Sequence, residues 1–167
     1  FWRNKMAYEQ NLFPYTKNFK LNFIKIVLVV IVLSVFGVSL TYDAIVVQKL
    51  EEIIVQPSLN FFLIGSTAIL GGGVLEWIIW LANPISFISI VLFLYNDKYL
   101  KRALQLNCIA LLLSGSFYFW KEILVSESGA TGKIISFENG YYLWVASILI
   151  LLVFQLFYYN SIEKIKR

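Results

Sequence analysis

Residues 77–120 read WIIWLANPISFISIVLFLYNDKYLKRALQLNCIALLLSGSFYFW, and this stretch indicates the fold. Two apolar segments, 77–95 and 103–120, flank a polar turn at 96–102 that carries three basic residues. A helix needs about 20 mostly apolar residues to cross the hydrocarbon of a bilayer. Each apolar segment therefore predicts a transmembrane helix. The basic turn is expected on the cytoplasmic side, where Lys and Arg gather.

The composition of the whole chain agrees with a membrane protein. Of its 167 residues, 59% are hydrophobic and 14% are charged, against roughly 45–50% and about 25% in soluble proteins. A soluble domain of this size leaves much of its surface in water and needs more charge than this. The composition therefore excludes an ordinary soluble enzyme, a disordered tail and a nucleic-acid-binding arm. The lipid bilayer is the expected partner, and nucleic acid is not.

Two more segments, 23–41 and 141–159, are long and apolar enough to cross the bilayer, which gives four predicted spans in a single transmembrane domain, 1–167. Four spans divide the remaining residues into cytoplasmic segments at 1–22, 96–102 and 160–167 and outer segments at 42–76 and 121–140. Eleven of the 14 basic residues then lie in or beside the cytoplasmic segments. A fifth span would move a strongly basic segment outside, so both termini are expected in the cytoplasm.

The outer segment after the first span has a pattern of its own. Apolar residues recur at helical spacing between Asp43 and Gln56, opposite polar and charged ones. With Asp43 as N-cap and Pro57 as stop, this pattern predicts an amphipathic helix at 43–56 on the outer surface, or an extension of the first span. Residues 61–74, which include a triple glycine, are expected to return along the interface; two short spans within 61–95 are the alternative. The predicted fold class is all-α: an integral membrane four-helix bundle with an outer amphipathic helix and an interfacial segment.

Two motifs carry a resemblance to known sequences. Residues 80–84 read WLANP and open a predicted span that a short basic turn and another span follow, and residues 140–144 read GYYLW and open the last span. In order and spacing they resemble small uncharacterised bacterial four-span membrane proteins, over about residues 60–160. The resemblance implies a multi-pass protein of the bacterial cytoplasmic (inner) membrane. It implies no catalytic residue, and segment 43–56 has no counterpart in it.

The start of the second predicted span holds the candidate contacts for a ligand or partner, Glu76, Trp77, Trp80, Asn83 and Pro84. Glu76 is the one charged residue between positions 61 and 95, and ionisable groups at membrane depth often mark function. A hydrated or Lys-paired carboxylate is the competing and favoured interpretation. Pro84 lacks a backbone N–H and obstructs the carbonyl of Trp80, so the loosened turn could present the Asn83 amide to a ligand. A helix boundary or kink is the favoured alternative there.

Polar residues inside the last two predicted spans are candidates for hydrogen bonds between helices, which are typically worth about 1–2 kcal/mol or less each. They are Gln105, Asn107, Ser114, Ser116 and Gln155. The chain contains no His and one Cys, and its acidic residues form no paired-carboxylate motif. No catalytic residue, metal or cofactor is therefore predicted.

These features favour a non-enzymatic function. The first hypothesis is a polytopic membrane protein that acts by binding another membrane component, as an accessory or partner subunit. The second is an immunity protein against a membrane-targeting bacterial toxin, because colicin-type immunity proteins resemble this architecture, though not its motifs. The third is a small channel or carrier formed by oligomerisation. A membrane-protein partner or a second copy of the chain is expected in each case.

Overall fold

The structure, a computed structural model, describes residues 22–125 and 130–166. Apart from Asn22, the predicted cytoplasmic segment 1–22 lies outside the described residues. The helices are α1 (Asn22–Ser39), α2 (Ser58–Ile64), α3 (Val74–Trp80), α4 (Ala82–Tyr95), α5 (Leu100–Ser116) and α6 (Asn139–Lys166). The strands are β1 (Asp43–Lys49), β2 (Glu52–Pro57), β3 (Glu122–Leu124) and β4 (Thr131–Phe137), and 3-10 turns lie at Gly65–Gly71, Asp97–Tyr99 and Phe117–Phe119.

The described chain is mostly helical, and three of its helices are long and apolar enough to cross a membrane. They are Asn22–Ser39, the combined α3 and α4 at Val74–Tyr95, and Asn139–Ile162 within α6. The predictions of long apolar helices at 23–41, 77–95 and 141–159 are thereby confirmed. The helix in the remaining predicted span, 103–120, is α5, which has 17 residues, fewer than the about 20 that a crossing takes. The number of crossings therefore stays a prediction.

Helices α1, α4, α5 and α6 share one apolar core. Its buried members come from all four helices: Val29, Val32, Ile90, Phe93, Leu100, Ala103, Leu151 and Tyr158. Large apolar side chains also cover the outside of the bundle; Val91, Leu112 and Phe157 are 63%, 73% and 68% exposed. An apolar surface of this extent is costly in water and favourable in lipid.

The two ends of the bundle differ. At one end, the start of α1 lies beside the turn between α4 and α5, since Lys25 contacts Asp97, and Tyr158 near the end of α6 also contacts Asp97. At the other end, α1 and α5 finish and α6 begins, and the four strands lie there. We call these the basic end and the sheet end.

The sheet corrects two predictions. Its antiparallel order is β2-β1-β4-β3, so the all-α class is wrong in this part of the molecule. The predicted amphipathic helix at 43–56 is also wrong, because this segment forms the hairpin β1–β2. Its apolar residues are mostly Val and Ile, which are stiff at χ1 and favour strands.

A helical hairpin occupies the region predicted as an interfacial return at 61–74. Helix α2 continues directly into the 3-10 turn, so 58–71 forms one apolar helix. Gly72 then adopts a left-handed conformation with φ 85°, which glycine reaches without steric cost, and α3 runs back along the same helix. We call residues 58–80 the helical hairpin. Its depth in a membrane stays a prediction.

Candidate functional site

A cavity of about 710 Å³ lies between the helical hairpin, the sheet and the beginning of α6. We call it the sheet-end cavity. Its walls are mostly aromatic and aliphatic, and they come from seven separate stretches of the chain between Phe36 and Trp144. The large apolar residues on its walls are Phe36, Leu40, Phe61, Phe62, Ile64, Leu70, Ile79, Trp80, Phe117, Ile123, Leu124, Val125, Tyr141 and Trp144. Pockets for small molecules have this size range, roughly 300–1,000 Å³, and this apolar character.

Glu76 lies on the wall of the cavity in the first turn of α3 and is half-buried. Its Oε1 accepts a hydrogen bond from the backbone N–H of Leu124 at 2.9 Å. This bond ties the helical hairpin to β3, 48 residues further along the chain. The carboxylate is thus bonded to a backbone amide. It retains further acceptor positions, since an ionised carboxylate offers about four.

Trp80 holds the two arms of the helical hairpin together. Its indole Nε1 donates to the carbonyl of Phe62 at 2.9 Å. Its ring lies so close to Gly65 that a Cβ at that position would overlap it. The absence of a side chain at Gly65 therefore lets the arms approach, and the Trp80 ring forms part of the cavity wall.

Asn83 and Pro84 lie in the first turn of α4, directly after its junction with α3 at Leu81. Asn83 Nδ2 donates to the Trp80 carbonyl at 3.1 Å, and Asn83 Oδ1 accepts from Trp144 Nε1 at 2.8 Å. The Trp80 carbonyl is the group that Pro84 cannot bond, because proline has no N–H. The Asn83 side chain replaces that missing donor and links the junction to α6. Of the five candidate contacts, Glu76, Trp80 and Asn83 line the sheet-end cavity, whereas Trp77 and Pro84 lie outside its lining.

The polar residues of the last two predicted spans divide into buried and exposed ones. Asn107 donates to the Ile148 carbonyl at 3.1 Å and accepts from Ser86, while Gln155 donates to Ser89 at 2.8 Å. These bonds connect α4, α5 and α6. Ser114 is also buried, but its hydroxyl bonds the Leu111 carbonyl within α5, and its own carbonyl accepts from Tyr141.

Gln105 and Ser116 make no hydrogen bond between helices within the described chain. Both are exposed, and the Ser116 hydroxyl donates to the Leu113 carbonyl of its own helix. The buried face of α5 is formed by Leu100, Ala103, Asn107, Ala110 and Ser114. At 3.6 residues per turn, positions 105 and 116 fall on the other side.

Ser58 is a cavity residue that the sequence patterns do not reveal. It lies at the start of α2, it is 7% exposed, and its Oγ has no hydrogen-bond partner among the described residues. Its Oγ lies against Gly140, the glycine of the GYYLW motif. Phe117 and Tyr141 were also missed as wall residues, because they belong to elements that only the fold brings next to α2.

The chemistry available in the cavity is that of binding. Among the described wall residues, Glu76 carries the single charge, and the other polar groups are hydroxyls and amides. The described residues contain no group of three His, Cys, Asp or Glu side chains arranged to hold a metal ion. The arrangement can enclose an apolar body and offer hydrogen bonds at a few points on its wall.

Comparison with protein-family models, with curated proteins and with solved structures finds no match to the chain.

Proposed function

We propose that the chain is an integral membrane protein of a bacterial inner membrane that acts by holding another membrane component in the sheet-end cavity. Four crossings, with the basic end in the cytoplasm and the sheet end outside, agree with the distribution of Lys and Arg. The exposed apolar side chains around the bundle also support insertion.

One observation carries the proposal: the sheet-end cavity is large, apolar and built from seven separate parts of the chain, with Glu76, Trp80 and Asn83 on its wall. Ligand pockets are typically clefts of roughly 300–1,000 Å³ lined mainly by apolar and aromatic side chains. A space of about 710 Å³ lined by aromatic rings is therefore suited to a guest. Its polar groups suit recognition, so the proposed activity is binding without catalysis.

Native mass spectrometry tests the proposal directly. The protein is extracted with a mild non-ionic detergent, and bound molecules are identified by their mass. Ala68 lies on the cavity wall, so Ala68→Trp fills part of the space. Its neighbour Ile69 is 43% exposed and lies outside the lining, which makes Ile69→Trp the matched control on the same helix.

The wild type and Ile69→Trp are expected to carry a bound component that Ala68→Trp has lost. Equal occupancy in the two tryptophan variants would contradict the proposal, as would a wild type that carries nothing above the detergent background. The comparison of occupancies is valid when both variants unfold at temperatures close to that of the wild type.

A further inference from the structure

We propose that the sheet-end cavity binds a single-chain amphiphile with a cationic, amine-type head group. This inference rests on the proposed function and adds the chemical class of the bound component. Two features of the cavity lead to it: its volume and its single charge.

The volume favours a small molecule over a segment of a partner protein. An α-helix with its side chains is about 10–12 Å across, so a space of about 710 Å³ would hold roughly one and a half turns of one. A transmembrane helix needs about 20 residues and does not fit. A molecule with one apolar chain is of the right size, and Phe61, Trp80 and Phe117 on the wall offer it an apolar surface.

The charge on the wall favours a cationic head group. Glu76 is the one charged residue among the described wall residues, and no Lys or Arg there would balance an anionic ligand. One carboxylate oxygen accepts the Leu124 amide, which leaves acceptor capacity for a ligand. A hydrogen bond between an ammonium group and a carboxylate is charge-assisted and about twice as strong as a neutral one.

Three probes that share one chain length test the head group. Dodecylamine, dodecanol and dodecanoate are titrated against the purified protein in a non-ionic detergent, and the bound fraction is read by native mass spectrometry. We expect dodecylamine to bind about tenfold more tightly than dodecanol, and dodecanoate to bind most weakly. In Glu76→Gln, we expect dodecylamine and dodecanol to bind about equally tightly.

The variant Glu76→Gln removes the negative charge from the cavity wall and should leave the fold intact. Glutamine keeps an oxygen that can accept the Leu124 amide, so the helical hairpin should remain attached to β3, and thermal unfolding verifies this. Comparing the ratio of amine to alcohol affinity between the wild type and Glu76→Gln also cancels the different partitioning of the two probes into detergent.

The outcomes distinguish this inference from the proposed function. If all three probes bind the wild type equally and Ala68→Trp binds none, the cavity is a binding site but the head-group assignment is wrong. An unchanged amine preference in Glu76→Gln also overturns the assignment. If no probe binds, or if Ala68→Trp binds all of them as the wild type does, the proposed function fails as well.

Discussion

The ammonium group of Lys25 lies 2.5 Å from the carboxylate of Asp97, and this pair joins α1 to the turn between α4 and α5. Lys25 is 3% exposed, whereas the side chain of Asp97 is 50% exposed. The cation also lies over the rings of Phe93 and Tyr158, at 5.3 and 4.6 Å from their centroids. A buried cation in the first helix is thus neutralised by an anion that still reaches solvent.

Because Lys25 is buried and Asp97 is half exposed, substitutions of these two residues should lower the stability of the protein by different amounts. Asp97→Asn leaves a buried cation without its anion, and we expect it to lower the free energy of unfolding by about 1–2 kcal/mol, discounted for the exposure of Asp97. Lys25→Met removes the cation, fills similar space and leaves a carboxylate that water can solvate, so we expect a loss below about 1 kcal/mol. Unfolding in mixed micelles with increasing SDS measures the free energy of unfolding of both variants. A larger loss for Lys25→Met than for Asp97→Asn would contradict the explanation.

The same pair places the start of α1 and the turn 96–102 at one end of the bundle, which makes the topology testable. Lys98 and Lys133 are both exposed, the first at the basic end and the second in β4 at the sheet end. Single cysteines at these positions are introduced after Cys108, which is exposed, has been changed to Ser. A membrane-impermeant maleimide should label position 133 in intact cells and position 98 only after permeabilisation. Labelling of both from outside would refute the proposed orientation.

The long apolar helices could be predicted because their signal is local. A run of about 20 apolar residues has few alternatives to a helix that crosses a membrane, and Val74–Tyr95 and Asn139–Ile162 have this form. The fold at the sheet end could not be predicted in this way. Strand β1 pairs with β4, some 85 residues later, so the sheet depends on contacts that no local pattern reveals.

The hairpin β1–β2 shows why the local pattern misled. Val46, Val47, Ile53 and Ile54 satisfy helical spacing, but they also fit two short strands. The turn between the strands contains Leu50 in a left-handed conformation, φ 55°, without the Asn-Gly or Asp-Gly sequence that usually signals a hairpin.

The residues of the candidate site could be predicted only in part. Glu76 stood out by its charge, whereas Ser58 gave no signal until the fold placed it in the cavity wall.

The hydrogen bonds of Asn107 predict a contrast between two amides on α5. Asn107 is fully buried and bonds both Ser86 and the Ile148 carbonyl, whereas Gln105 is exposed. Asn107→Ala is expected to lower the free energy of unfolding by about 1–2 kcal/mol, because it removes bonds between three helices and leaves their partners buried. Gln105→Ala should change it by less than about 0.5 kcal/mol. Equal effects in SDS-induced unfolding would show that the interhelical bonds contribute nothing measurable.

Gly140 marks a close contact between the start of α6 and the rest of the sheet end. A Cβ at this position would overlap Ser58 Oγ and lie 2.6 Å from the Asp43 carbonyl oxygen and 2.9 Å from that of Tyr42. Two of these three neighbours are backbone atoms that cannot rotate away, so Gly140→Ala must displace the start of α6 or the connection from α1 to β1. We expect a loss of about 1–3 kcal/mol in the free energy of unfolding, as for other overpacked sites.

Gly115 provides the matched control for this substitution. It lies in α5, and a Cβ there would meet no atom within 4 Å. Gly115→Ala should therefore raise stability by up to about 1 kcal/mol, because alanine is the better helix former. Since the start of α6 also forms part of the cavity wall, Gly140→Ala should weaken binding of the dodecyl probes while Gly115→Ala leaves it unchanged. A stable Gly140→Ala protein with unaltered binding would mean that the close contact at Gly140 neither supports the fold nor shapes the cavity.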